Sequence, residues 1–253
     1  LMSKNYSPPD YGEYRLQGRE GMLYALEGAA VVAMIGYFFY HSLVACLCLT
    51  PVFFLFLKDK KKELAKKQRQ ELGIQFKDMV LSVAANQKAG YSIENAFRES
   101  YRDMEMLYGA KGLICVEIRY IMAGLENNVV LEKLLYSLGM RSHEPDIMQF
   151  ADVFYIAKRS GGNMTDILAK TAAVIEQKIE TDKEIQLMVS AKKMEQRIMN
   201  AVPFLIILYV SSTSRGFFDV LYHNPVGVAV MTVCLGFYGA AYRLSKRIVE
   251  IEV

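Results

Sequence analysis

Two long apolar stretches, residues 22–57 and 198–242, bracket a middle section that holds most of the charge. About 20 apolar residues suffice to cross the hydrocarbon of a bilayer, so 22–57 is too long for one crossing. Tyr40-His41-Ser42 interrupts it near its middle, which predicts a tight helical hairpin with arms at 22–39 and 43–57. The second stretch divides in the same way. Ile198–Val210 and Val226–Tyr242 are separated by a polar segment with Arg215, Asp219 and His223, and Pro225 marks the next boundary. Pro203 lies inside the third arm, where it is expected to bend the helix; neighbouring helices in a membrane can satisfy the freed carbonyl.

Composition supports this division. Hydrophobic residues make up 53% and charged residues 23% of the chain, and the two populations occupy different segments. The expected order is an N-terminal tail (1–21), a membrane hairpin (22–57), a cytoplasmic helical bundle (58–197), a second hairpin (198–242) and a C-terminal tail (243–253). The first apolar stretch ends in a lysine cluster instead of a small-residue cleavage site, so it is expected to stay in the membrane.

Local charge sets the orientation. Between Lys58 and Leu72 there are seven basic residues (Lys58, Lys60, Lys61, Lys62, Lys66, Lys67, Arg69) against three acidic ones. Arg243, Lys246 and Arg247 follow the last apolar stretch. Basic residues beside a span stay on the cytoplasmic side, so the bundle and both termini are expected inside a multi-pass protein of the inner or plasma membrane. The lysine cluster can touch anionic lipid headgroups, dock an acidic cytoplasmic partner, or do both. The net charge of +3 gives no ground for a nucleic-acid partner.

From Leu64 to Arg197 the periodicity is helical throughout, with no sustained alternation of strand type. Leu72, Phe76, Met79, Val80 and Val83 form one stripe, and Ala89-Gly90-Tyr91 ends it. Ser92 is placed to cap the helix that carries Ile93, Ala96, Phe97 and Tyr101. Further stripes are Leu113, Val116 and Tyr120, with Gly124 near the end, and then Leu131, Leu134, Leu135 and Leu138. Pro145 opens the next helix, with Ile147, Phe150, Ala151 and Phe154. Gly161-Gly162 stops that helix, and Asn163 with Asp166 resembles an N-cap and its acidic first turn. The expected fold class is all-α, with a bundle of about six helices and short connections between two membrane hairpins.

Catalytic and cofactor chemistry finds no foothold. No phosphate-binding G-x-x-x-x-G-K-[ST] occurs, and the Gly161-Gly162 pair reads as a helix stop. His143, Glu144 and Asp146 are the one compact set of metal-type ligands, and they read as the acidic opening of a helix. Cys46-x-Cys48 lacks a second ligand pair, Cys234 like them lies in an apolar run, and Cys115 stands alone in a helical pattern. No enzyme, metal or cofactor is expected. A transporter would need several broken or polar segments around a midplane site, and Glu27 and Pro203 are too few.

Three ordered segments resemble a known family. They are Ala89-Gly90-Tyr91-Ser92-Ile93-Glu94-Asn95-Ala96-Phe97, then Phe150-Ala151 through Ser160-Gly161-Gly162-Asn163, then Glu184-Ile185-Gln186 through Arg197-Ile198-Met199 with Pro203 following. Together they resemble the F-domain (GspF-like) platform proteins of type II secretion and type IV pilus systems, over residues 22–253. Platform proteins of full layout carry two bundles in one chain. The single bundle here is most similar to the TadB branch of the Tad (Flp) pilus machinery.

The resemblance implies a non-enzymatic assembly platform and a homo- or hetero-oligomer. Its implied partners are a cytoplasmic secretion ATPase (TadA-like), a second single-bundle protein (TadC-like), pilin subunits and membrane lipid. It also implies a partner-facing side near Lys60, Lys61, Lys62, Lys66, Lys67, Arg69, Gly161 and Gly162, with Gly90, Ser92 and Pro203 in structural roles. A membrane-anchored helical adaptor that recruits a cytoplasmic signalling partner is the alternative.

Overall fold

In a computed structural model of the chain, residues 9–14, 18–40, 50–161, 163–214 and 224–251 are described. Among them all regular structure is helical. The helices are α1 (Gly18–Tyr40), α2 (Thr50–Lys88), α3 (Ile93–Tyr108), α4 (Leu113–Glu126), α5 (Leu131–Ser142), α6 (Pro145–Ser160), α7 (Met164–Thr213) and α8 (Pro225–Ile251). The chain divides into two compact units. One comprises Leu1–Arg15 and Lys61–Glu180, the other Leu16–Lys60 and Thr181–Val253.

The first unit is a helical bundle around one apolar core. Leu72, Phe76, Met79, Val80 and Val83 of α2 are buried in it, as their spacing predicts. Leu131, Leu134, Leu135 and Leu138 of α5 join them, with Ile147, Phe150, Ala151 and Phe154 of α6. Aromatic rings hold the centre together. Phe150 meets Phe76 edge-on at 5.1 Å and stacks on Phe154 at 6.0 Å, and Phe154 meets Phe97 edge-on at 6.3 Å. Such geometries add attraction beyond the area buried.

The local signals set the helix ends. Ser92 Oγ accepts a hydrogen bond from the Asn95 N–H at 3.4 Å, satisfying one orphan donor of α3. Gly90, with φ of 99°, makes the turn before it. Pro145 opens α6, and Gly161 closes it in the left-handed region at φ 66°. Asn163 Oδ1 accepts from the Asp166 N–H at 3.4 Å and opens α7. Pro203 lies inside α7. A cap deletion is checkable: Ser92→Ala is expected to cost about 1 kcal/mol, read as a lower unfolding midpoint in denaturant.

The α5–α6 hairpin is tight because Gly139 lies against α6. A Cβ there would come within 2.9 Å of Met148 Sδ and 3.0 Å of the Met148 Cα. The sulfur can swing away, but the backbone atom cannot move without shifting α6. Gly139→Ala is therefore expected to destabilise the chain by about 1–3 kcal/mol, with helical content retained by circular dichroism.

Two sequence expectations require correction. The arm expected over 43–57 does not end at Leu57: α2 starts at Thr50 and runs without a break to Lys88. The lysine-rich stretch consists of good helix formers and carries no Pro or Gly until Gly73, so nothing stops the helix at the polarity change. The α4 stripe is also rotated. Ile114, Cys115, Glu117, Ile118 and Ile121 are buried, whereas Leu113, Val116 and Tyr120 are only partly so. An apolar residue on nearly every side of this short helix leaves its periodicity ambiguous.

In the second unit, Val226–Ile248 of α8 is the one helix among the described residues long and apolar enough to cross a membrane. Its mean hydropathy is 1.3, and only 6% of its most apolar window is buried, which distinguishes it from a buried core helix. The Tyr238 hydroxyl donates to the Asn200 carbonyl at 3.0 Å, and its ring meets Phe204 edge-on at 5.5 Å, tying α8 to α7. Gly28 of α1 lies close to the rings of Phe53 and Phe56. Residues 41–49 and 215–223, which hold most of the two expected hairpin turns with His41 and His223, lie outside the described residues, while Tyr40 ends α1 and α7 runs past Val210 to Thr213.

Candidate partner interface

The basic cluster is a helix surface, because α2 carries it in register. Lys62, Lys66 and Arg69 recur at four and three, so they share one face, and Lys61 and Lys67 broaden it. Lys61, Lys62, Lys66 and Lys67 are exposed, while Arg69 is half-buried with its Nε shielded and unpartnered. Lys60 belongs to the other unit, where its ammonium lies 5.9 Å above the Tyr24 ring. The six basic residues expected to act together are therefore divided: Lys60 lies over a ring, Arg69 is half-buried, and Lys61, Lys62, Lys66 and Lys67 form the open helix surface.

Gly161 is exposed at the end of α6. Gly162 lies outside the described residues. The turn follows a charged helix end, where Arg159 donates to the Tyr155 hydroxyl at 2.6 Å. Lys158 bridges Glu94 and Glu132, each at 3.2 Å, and so ties α3, α5 and α6 together. Burial works against the Lys158 charge, but the two carboxylates outweigh it and raise its pKa above the usual lysine value. Gly90 and Ser92 serve the backbone, as expected.

A polar cluster that the sequence did not disclose lies inside the bundle. Glu117 is fully buried on α4, and Arg141 of α5 meets it with both guanidinium nitrogens, at 2.9 and 2.7 Å. Arg141 also donates to the Pro9 carbonyl at 2.9 Å and lies 5.2 Å from the Tyr120 ring. The Tyr11 hydroxyl donates to Glu117 Oε1 at 3.0 Å, and the Tyr11 N–H donates to the Arg141 carbonyl at 2.9 Å. Tyr11 is 1% exposed, so this part of the expected tail is a core component. Burial opposes the Arg141 charge, but the hydrogen bonds and charge of Glu117 prevail and raise its pKa.

Residues 9–14 thus act as a strap on the bundle. Asp10 Oδ1 accepts from the Gly12 N–H and meets His143 Nε2, both at 2.9 Å. The Gly12 hydrogen bond, reinforced by His143, holds the Asp10 carboxyl below its usual pKa. A depressed carboxylate stabilises the fold above its unfolded pKa, and that contribution is lost as pH falls through the folded pKa. The Asp10 contribution to strap docking is therefore expected to be lost in acid, below the ordinary aspartate range, which hydrogen exchange at the Tyr11 amide would read.

The arrangement offers binding surfaces and internal ion pairs. His143 is committed to Asp10, and Asp146 to Lys178 at 2.7 Å. Among the described residues no three His, Cys, Asp or Glu side chains are grouped to hold a metal. Cys115 is buried, which pushes its thiol pKa up. Comparison with protein-family models, with curated proteins and with solved structures returned no match.

Proposed function

We propose that the chain is a membrane platform protein of a Tad/Flp-type pilus or type II secretion-like machine. In this reading it couples a cytoplasmic secretion ATPase to the extraction and assembly of pilin subunits. The observation that carries the reading is the order of its parts. A Gly90/Ser92-capped helix, a helix ending at Gly161 and a long helix containing Pro203 occur in an all-helical chain with a candidate span. The same order underlies the resemblance to the F-domain platforms.

The chain crosses the membrane four times in this proposal, with the bundle and both termini in the cytoplasm. Arg243 and Arg247 then lie at the inner surface beside anionic lipid. The exposed lysines of α2 face the ATPase, or a TadC-like second platform protein bound beside it. No step of chemistry is assigned to the chain itself; it transmits movement produced elsewhere.

The test reverses charge on the open part of α2, replacing Lys61, Lys62, Lys66 and Lys67 with Glu. Pilus assembly and ATPase co-purification are expected to be lost, while a reporter fused to the C-terminus keeps its cytoplasmic orientation. Normal assembly with normal orientation would contradict the assignment of this face.

A further inference from the structure

The strap fills a groove whose charged groups are complete without it. Glu117 of α4 and Arg141 of α5 hold each other through two hydrogen bonds, at 2.9 and 2.7 Å, and the strap supplies neither. Lifting the strap therefore leaves no buried charge without its counter-charge, which is the large penalty in opening a polar core. Of residues 9–14 only Tyr11 is buried. The Asp10–His143 pair lies at the rim, with side chains 70% and 46% exposed, where water replaces a lost partner. A segment held in this way opens locally at less cost than the helices around it.

Within the groove four consecutive residues are read one by one. Main-chain hydrogen bonds clamp the segment on both sides of Asp10. The Pro9 carbonyl accepts from Arg141 Nη1, and the Tyr11 N–H donates to the Arg141 carbonyl, each at 2.9 Å. Such bonds hold any peptide, and side-chain contacts add the specificity. His143 Nε2 meets the Asp10 carboxylate at 2.9 Å, and Glu117 Oε1 accepts from the Tyr11 phenol at 3.0 Å. Position 12 takes glycine, because a Cβ there would lie 2.6 Å from His143 Nε2 and 2.9 Å from its Cδ2. The ring escapes that clash only by leaving Asp10. His143 also closes α5 in the left-handed region, at φ 52°, a position that glycine takes without steric cost. The side chain kept there is the one that touches Asp10 and abuts Gly12.

We infer that the groove between α4 and α5 is a peptide-recognition site for the sequence Asp-Tyr-Gly, and that residues 9–12 are its tethered, releasable ligand. In the closed state the chain occupies its own site. A peptide of the same pattern competes for it. The tethered segment competes as though present at about millimolar concentration, so the closed chain yields only to a tighter or more concentrated peptide. Strap recognition does not depend on the platform reading, since every contact lies within the bundle unit.

A fluorescent peptide with the sequence of residues 8–14, titrated against the full-length chain in detergent and followed by anisotropy, tests this. The Tyr11→Ala chain, whose own strap has lost its anchor, is expected to bind the peptide saturably, and the unmodified chain about tenfold more weakly or worse. Gly12→Ala in the peptide is expected to weaken binding to the Tyr11→Ala chain about tenfold. Adding His143→Gly to that chain is expected to remove the difference between the two peptides, with both bound more weakly for want of the Asp10 contact. Equal binding to the unmodified and Tyr11→Ala chains would place the peptide elsewhere and overturn the site. Equal binding of the two peptides to the Tyr11→Ala chain would overturn the reading by His143. No saturable binding to a Tyr11→Ala chain of unchanged helical content would make the strap an inseparable part of the bundle, against the proposal. Should that chain lose its helices by circular dichroism, a Gly12→Ala chain takes its place with the same outcomes. Loss of helices in both would also overturn the proposal.

Discussion

Arg141→Met is expected to lower the stability of the bundle by about 3–5 kcal/mol, because it leaves a buried carboxylate without its counter-charge. Glu117 is 0% exposed, and Arg141 supplies two of the three hydrogen bonds that reach its oxygens, with Tyr11 supplying the third. Removing the guanidinium strands the acid and also releases the Pro9 carbonyl. The loss is a penalty for breaking the pair and not a measure of what the pair contributes. Replacing the polar partners together with apolar residues, Glu117→Leu with Arg141→Met and Tyr11→Phe, is therefore expected to recover most of the stability. Urea unfolding of the full chain in detergent, followed by circular dichroism, reads both variants. A single variant as stable as the unmodified chain would show that Glu117 is hydrated or takes up a proton once its counter-charge is gone.

Phe150→Ala is expected to cost about 3–5 kcal/mol through the cavity it leaves. Phe150 is the ring shared by the Phe76 contact and the Phe154 stack, and Phe154 in turn reaches Phe97. Deleting it separates α2 from α6 at the centre of the core. Phe150→Leu, which keeps much of the volume, is expected to cost clearly less. Equal losses for the two variants would mean that the edge-on ring geometry matters more than filled space. The same unfolding measurement distinguishes them.

The parts of the bundle that were legible in sequence are those fixed by neighbours in the chain. Ser92 caps because its hydroxyl reaches three residues forward, and Gly161 ends α6 because it adopts the left-handed conformation. The α2, α5 and α6 stripes are legible because each has one apolar face opposed by a polar one. The strap was not legible. Tyr11 and Glu117 are 106 residues apart, and a tyrosine in a Pro-rich tail carries no local sign that it will be buried. Glu117 itself reads as a charge on the outside of a helix until Arg141 is brought to it. The basic surface of α2 was visible as composition, but composition did not separate tethered Lys60 from its exposed neighbours.

The most direct test of the platform proposal is the set of proteins that accompany the tagged full-length chain out of its native membrane in mild detergent. The proposal predicts a secretion ATPase and a second single-bundle membrane protein, both lost from the Lys61, Lys62, Lys66 and Lys67 charge-reversal variant. Recovery of cytoplasmic signalling enzymes, with neither of those two proteins, would contradict the platform and favour a membrane-anchored adaptor.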